Sequence, residues 1–239
     1  MTSSLFIRDI RLEPATEPRD GYPFTIPALR ALDVLALDAV TFLVGENGSG
    51  KSTLLEAIAV AAGFNAEGGS RNYNFATRPS ESELHRHLRL GRGVRRPHDG
   101  FFLRAESFYN VATEMERLGV LHTVGGASPH EQSHGESFLA LAVNRFSDNG
   151  LYLLDEPEAA LSPARQLSLL AILHRLAHAG SQFLIATHSP ILLAYPGALI
   201  YHLGADGIAP IRYEDTEHYT LTRDFLNDRE RYFKHLFDA

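Results

Sequence analysis

The sequence predicts an α/β fold: a mainly parallel sheet flanked by helices, with a small antiparallel N-terminal β layer and an inserted α or irregular subdomain. Three observations predict it. Apolar runs too short for helices recur along the chain, bounded by turn residues. Helix-length stretches separate them, the pattern of βαβ units. The length of 239 residues suits one domain, and 44% hydrophobic against 21% charged residues provides the material for a core.

Taken in chain order, Leu5–Leu12, Asp33–Leu37 and Val40–Val44 read as strands, the early ones forming the antiparallel layer. Lys51–Ala62 reads as a helix. Residues 71–104 then hold eight arginines against Glu81, Glu83 and Asp99, a local net of +5, with little periodicity. They are read as part of an insert at about 65–130 in a single domain spanning 1–239. Beyond it, Glu136–Phe146 is predicted helical, Leu151–Leu154 a strand, and Pro163–Ala179 a helix with Ser162 as N-cap and Pro163 at its first position. Phe183–Ala186 and Ala198–His202 are predicted strands, and Leu221–Phe237 a final helix.

Composition removes several functions. A formal charge of −7 argues against nonspecific coating of nucleic acid, which depends on neutralising phosphates, although the 71–104 segment leaves room for a local basic surface for nucleic acid or an acidic partner. The absence of cysteine excludes disulfides, cysteine-ligated zinc, iron–sulfur clusters and thiol catalysis. The first residues carry charge and no apolar core of a signal peptide, so a cytoplasmic location is expected. The most apolar stretch, 183–203, is interrupted by Thr187-His188-Ser189-Pro190 and Tyr195-Pro196-Gly197, and no transmembrane helix is expected.

The strongest motif is Gly45-Glu46-Asn47-Gly48-Ser49-Gly50-Lys51-Ser52, extended by Thr53, which follows an apolar strand and opens a helix. Its glycines let successive N–H groups point at phosphate oxygens, and the helix adds its positive end. Lys51 would bridge the β- and γ-phosphates and Ser52 would ligate Mg²⁺. Lys51 and Lys234 are the only lysines in an arginine-rich chain, which points to a role for a compact ammonium at position 51. Nucleoside triphosphate binding follows. Leu151-Tyr152-Leu153-Leu154-Asp155-Glu156 then delivers two carboxylates at a strand's C-terminal end, where α/β sheets bind ligands. Asp155 is expected in the Mg²⁺ shell and Glu156 beside the attacking water.

The runs Asp155-Glu156-Pro157-Glu158, Gln132-Ser133-His134-Gly135-Glu136-Ser137 and Ala186-Thr187-His188-Ser189 resemble ATP-binding-cassette (ABC) ATPases in order and spacing. GENGSGKSTLLEAIA and LLDEPEAALSPARQ resemble the soluble ATPases of the RecF and structural-maintenance-of-chromosomes types more than transporter subunits. The resemblance covers roughly 1–60 and 130–205. It implies an ABC-type P-loop ATPase that uses ATP and Mg²⁺ and pairs head to tail in an ATP-dependent homodimer. Ser133 and Gly135 stand in its signature, contacting the γ-phosphate on the opposite subunit, and His188 stands where the family has a histidine that senses the γ-phosphate. The chain departs from the pattern at His134, where a glycine is usual, and at Ser162, where transporters have aspartate. It offers no glutamine after Phe101-Phe102-Leu103, Glu106 being the nearest substitute. Tyr22 or Phe24 could stack on adenine, though core packing is the expected use of either. His85, His87, His130 and His134 lack the partners of a zinc site, and Arg165 is expected in a surface pair. The competing readings are a transporter's nucleotide-binding subunit, a small-molecule P-loop kinase and an ATP switch that binds without hydrolysis.

Overall fold

The computed structural model describes residues 5–14, 20–70, 82–105 and 134–237. In chain order the elements are β1 (Ile7–Leu12), α1 (Pro27–Arg30), β2 (Val34–Ala36), β3 (Val40–Val44), α2 (Lys51–Ala62), β4 (Leu88–Arg92) and β5 (Asp99–Arg104). They continue with α3 (His134–Arg145), β6 (Gly150–Asp155), α4 (Pro163–His178), β7 (Gln182–Ala186), α5 (Pro190–Leu193), β8 (Leu199–Gly204), β9 (Gly207–Pro210), α6 (Glu217–Asn227) and α7 (Arg229–Phe237).

The main sheet has the order β5-β6-β7-β3-β8-β9, parallel except for the β8–β9 hairpin. β3, β6 and β7 are buried along their whole length, which is why they read as unbroken apolar runs. Their side chains alternate between two cores. Leu43, Leu153, Leu184 and Phe102 face Leu54, Leu55 and Ile58 of α2 and the small sheet. Phe42, Tyr152, Phe183 and Phe101 face Phe138 of α3, Leu169 and Leu173 of α4, and Leu192 of α5. The fold is therefore a mixed, mostly parallel sheet with helices on both faces and an antiparallel sheet, β2-β1-β4, beside it.

One buried polar side chain joins the two sheets. The Gln182 amide oxygen accepts from Phe6 N and Ile7 N, each at 3.0 Å, and its nitrogen donates to Ile7 O at 2.7 Å and Asp38 O at 3.2 Å. All of its hydrogen-bonding capacity is used, as burial requires.

Three features depart from the sequence reading. Within the segment read as an irregular insert, β4 belongs to the small sheet and β5 is an edge strand of the main sheet, pairing in parallel with β6. β4 is an edge strand in which Leu88 and Leu90 face inward between Arg89, Gly91 and Arg92, too short and too charged an alternation to stand out in the sequence. β9 is short, with two of its four residues exposed, and closes a hairpin through Gly207 at φ +117°. The expected last helix is two helices that meet at Asp228, whose carboxylate accepts from Arg231 N at 3.2 Å and so caps α7.

Candidate functional site

The C-terminal ends of β3, β6 and β7 lie side by side, because β7 sits between the other two. Three segments distant in sequence therefore meet: the loop 45–50, the turn after Asp155, and Thr187-His188-Ser189. Thr187 N donates to Leu43 O at 3.2 Å and Glu156 N to Ala186 O at 2.9 Å, fixing their heights at the sheet edge.

The loop turns on glycines at positive φ: Gly45 (+149°), Gly48 (+81°) and Gly50 (+97°). A Cβ at Gly45 would stand 2.3 Å from Leu203 O, so no other residue fits there. Lys51 is 4% exposed. Its Nζ donates to Gly45 O at 2.8 Å and Glu46 O at 2.9 Å, clasping the loop. Burial lowers its pKa, opposed by the carboxylates of Glu156, Asp155 and Glu158. Ser52 Oγ donates to Asp155 Oδ1 at 2.9 Å across 103 residues of sequence. A hydroxyl and a carboxylate in contact beside an ammonium form a donor set suited to Mg²⁺ and phosphate oxygens, so the residues present fit both groups.

Glu156 adopts left-handed backbone angles, φ 50° and ψ 51°, uncommon for a side chain of its size. That conformation ends the strand abruptly. His188 Nε2 stands 3.7 Å from Glu156 Oε1, is buried, and has no hydrogen-bond partner. An orphaned ring nitrogen aimed at the acidic strand end matches a site for a phosphate oxygen. Glu158 holds this loop in place: its carboxylate accepts from Thr187 Oγ1 at 2.7 Å and from His188 N. Ser189 Oγ donates to the Gln166 side chain of α4 and caps α5. Desolvation is the first cause lowering the His188 pKa, reinforced by Lys51 and opposed by Glu156 and Glu158.

Two of the clefts beside the loop reach Glu156 and His188. One of about 480 Å³ is lined by Tyr22, Asn47, Gly48, Lys51, Ser52 and Glu156. The other, of about 530 Å³, is lined by Glu46, Asn47, His188, His202, Thr216 and His218. Tyr22 is 66% exposed and its hydroxyl hydrogen-bonds Thr53 Oγ1 at 2.8 Å, whereas Phe24 is buried. Core packing holds for Phe24 and fails for Tyr22.

Arg104, at the end of β5, enters the site from the basic segment. It pairs with Glu56 of α2 (2.6 Å) and Asp155 (3.4 Å), with all three side chains largely buried. Gly135 lies in the first turn of α3, where a Cβ would meet Arg165 Nη1 at 2.5 Å and Ala160 O at 2.8 Å. Arg165 pairs with Glu136 at 3.0 Å. Ser133 and Glu106 lie outside the described residues. His85 Nδ1 bonds Ser82 O at 2.8 Å and His87 packs edge-on against Phe24. No group of three metal-ligating side chains is found among the described residues, and no described helix is long and apolar enough to cross a membrane.

Sequence reasoning missed the roles of Arg104, Glu158, Gln182 and His218. Only Gln182 carried a signal, as a lone amide heading a strand that is otherwise wholly apolar.

Comparison with known proteins agrees with this geometry. The chain is 34% identical over 168 residues to the thiamine import ATP-binding protein ThiQ of Cereibacter sphaeroides, covering 62% of this chain and 70% of that protein. It is 26% identical over 189 residues to the energy-coupling factor transporter ATP-binding protein EcfA2 of Leuconostoc mesenteroides subsp. mesenteroides, covering 70% of this chain and 66% of that protein. The chain thus spans about two thirds of the length of these relatives. Its fold matches the crystal structure of a nucleotide-free ATP-binding cassette from an ABC transporter, with TM-score 0.50 and 19% identity over 95% of this chain and 97% of that one. Residues 40–103 and 124–194, more than half of the chain, match the family described as "AAA domain, putative AbiEii toxin, Type IV TA system". The phosphate loop, the paired acids and the histidine loop lie within the matched residues, and the chain belongs to that family, among the ABC-type P-loop ATPases.

Proposed function

We propose that this chain binds ATP with Mg²⁺ and hydrolyses it to ADP and phosphate as a single ATPase domain, in a cycle in which two copies pair head to tail. The observation that carries the proposal is the convergence of Lys51, Ser52, Asp155, Glu156 and His188 at one sheet edge, with Ser52 already bonded to Asp155 and His188 Nε2 facing Glu156.

The residues divide the work. Backbone N–H groups of 45–50 and the N-terminus of α2 bind phosphate oxygens. Lys51 exchanges its two loop carbonyls for β- and γ-phosphate oxygens, a low-cost exchange because the ammonium is already desolvated. Ser52 and Asp155 hold Mg²⁺, which neutralises charge on the phosphates when bound. Glu156 orients the attacking water and accepts its proton. His188 Nε2 donates to the γ-phosphate. Gly135, at the start of α3, offers backbone N–H groups to the nucleotide of a second copy, together with Ser133.

Glu156→Gln tests the cycle. It keeps the shape and removes the base, so turnover should fall by roughly 10²–10⁴-fold. ATP and Mg²⁺ should then shift the variant to a dimer on gel filtration. A variant that stays monomeric with both present would sink the head-to-tail pairing. A second reading, the ATP-binding subunit of a transporter, is favoured by the two relatives named above. Co-purification with a membrane-embedded partner separates it from a free-standing ATPase.

A further inference from the structure

The second cleft beside the phosphate loop contains a contact that the proposed cycle does not use. His188 Nδ1 lies 3.0 Å from Nε2 of His218, and the rings are 5.1 Å apart. His218 belongs to the first turn of α6, thirty residues downstream, in the part of the chain beyond the matched family segment.

The element that carries His218 is anchored for the purpose. Thr216 is 1% exposed; its hydroxyl donates to Tyr213 O at 2.7 Å and accepts from Tyr219 N, capping α6. Tyr213 OH donates to Pro190 O at 3.1 Å, on the strap that follows His188 and Ser189. The first turn of α6 is therefore tied to the same loop that carries His188.

A hydrogen bond between two imidazoles contains one proton, so one ring nitrogen donates and the other accepts. If His188 donated from Nδ1, its Nε2 would present a lone pair to the Glu156 carboxylate and to a phosphate oxygen, both acceptors. If His218 donates, His188 carries its proton on Nε2, as both neighbours require. Which nitrogen of a histidine holds the proton is set by the bond its other nitrogen makes.

We propose that His218 is a positioning residue for His188: its Nε2–H donates to His188 Nδ1 and fixes the His188 proton on Nε2, where it can meet the γ-phosphate. The assignment rests on the hydrolytic reading above. Glu156, Glu158 and Lys51 face His188, and Glu217, His202 and Lys51 face His218. Burial lowers the pKa of both rings and Lys51 lowers both further; His188 and His202 add to the lowering at His218, while Glu156 and Glu158 oppose it at His188 and Glu217 at His218. Both are therefore neutral near pH 7, the state in which a single tautomer can be selected.

The test has two arms. In nucleotide-free protein labelled with ¹⁵N-histidine, long-range proton–nitrogen correlation should show the His188 proton on Nε2 in the wild type and a mixture of tautomers in His218→Ala. In steady-state kinetics, His218→Ala should lower kcat by roughly tenfold with KM for ATP nearly unchanged. His218→Gln, whose amide can still donate, should recover most of the loss. A wild-type His188 proton on Nδ1, or a His218→Ala enzyme with kcat within about twofold of wild type, overturns the proposal. Wild-type protein without turnover overturns the hydrolytic reading instead and leaves the tautomer measurement to decide the contact.

Discussion

At the scale of single residues, Arg104 sets the electrostatics of the site. Its guanidinium stands between Glu56 and Asp155, so a resident positive charge already neutralises the carboxylate proposed to face Mg²⁺. A cation arriving at Asp155 competes with it. Arg104→Gln removes the competitor while keeping a donor for Glu56, and it should lower the Mg²⁺ concentration that half-saturates fluorescent-nucleotide binding by roughly tenfold, the scale of a coupling of about 1–3 kcal/mol. An unchanged requirement would show that Arg104 does not compete with the cation, and a higher one that it supports the metal shell. Lys51 is a contrasting case. It is desolvated and clasped by two carbonyls, a point-charge arrangement that suits a compact ammonium.

At the scale of elements, the site depends on how strands are held at their ends. The small sheet is tied to β7 through Gln182, which satisfies two backbone N–H groups and two carbonyls at once. Gln182→Leu matches the apolar character of the strand but removes the amide partner of Phe6 N, Ile7 N and Ile7 O, each loss costing on the order of 1–3 kcal/mol where the group stays buried and unpaired. Thermal unfolding should show a clearly lowered midpoint, and nucleotide affinity at low temperature should change little, because Gln182 is at the far end of β7 from His188. A midpoint within a degree of wild type would mean that water replaces the amide. The same logic explains Glu158, two residues beyond Glu156, whose carboxylate holds the backbone on which His188 is carried.

At the scale of the whole molecule, charge is divided. Residues 71–104 carry +5 within a chain of −7. Arg104 leaves that group for the interior, whereas Arg89, Arg92, Arg95 and Arg96 are exposed on or beside β4, with Arg11 of β1 opposite Arg89. Asp9 and Glu13 pair with Arg11 and Arg89 and temper the face without reversing it. If nucleic acid docks there, double-stranded DNA should stimulate turnover, and the binding constant should fall with salt at a slope of about −0.9 per phosphate contact. Reversing Arg89 and Arg92 to glutamate should abolish that stimulation and leave the unstimulated rate intact. Absence of any binding at low salt would remove nucleic acid as a partner of this face.

The sequence by itself determined the local devices. The glycine pattern of 45–50 dictates a loop that only glycine can turn, the apolar run 151–154 dictates a strand ending in two acids, and Lys51–Ala62 is helical over the residues read for it. These are short-range properties, set by backbone sterics and by hydrophobic period. Tertiary structure decided the rest. β4 became a sheet strand because pairing with β1 outweighed its charge, and the short apolar run of β5 found its place by pairing with β6. Arg104 met Asp155, and His218 met His188, because strand order brings distant chain ends to one edge, and no local pattern encodes which residue of one segment touches which residue of another.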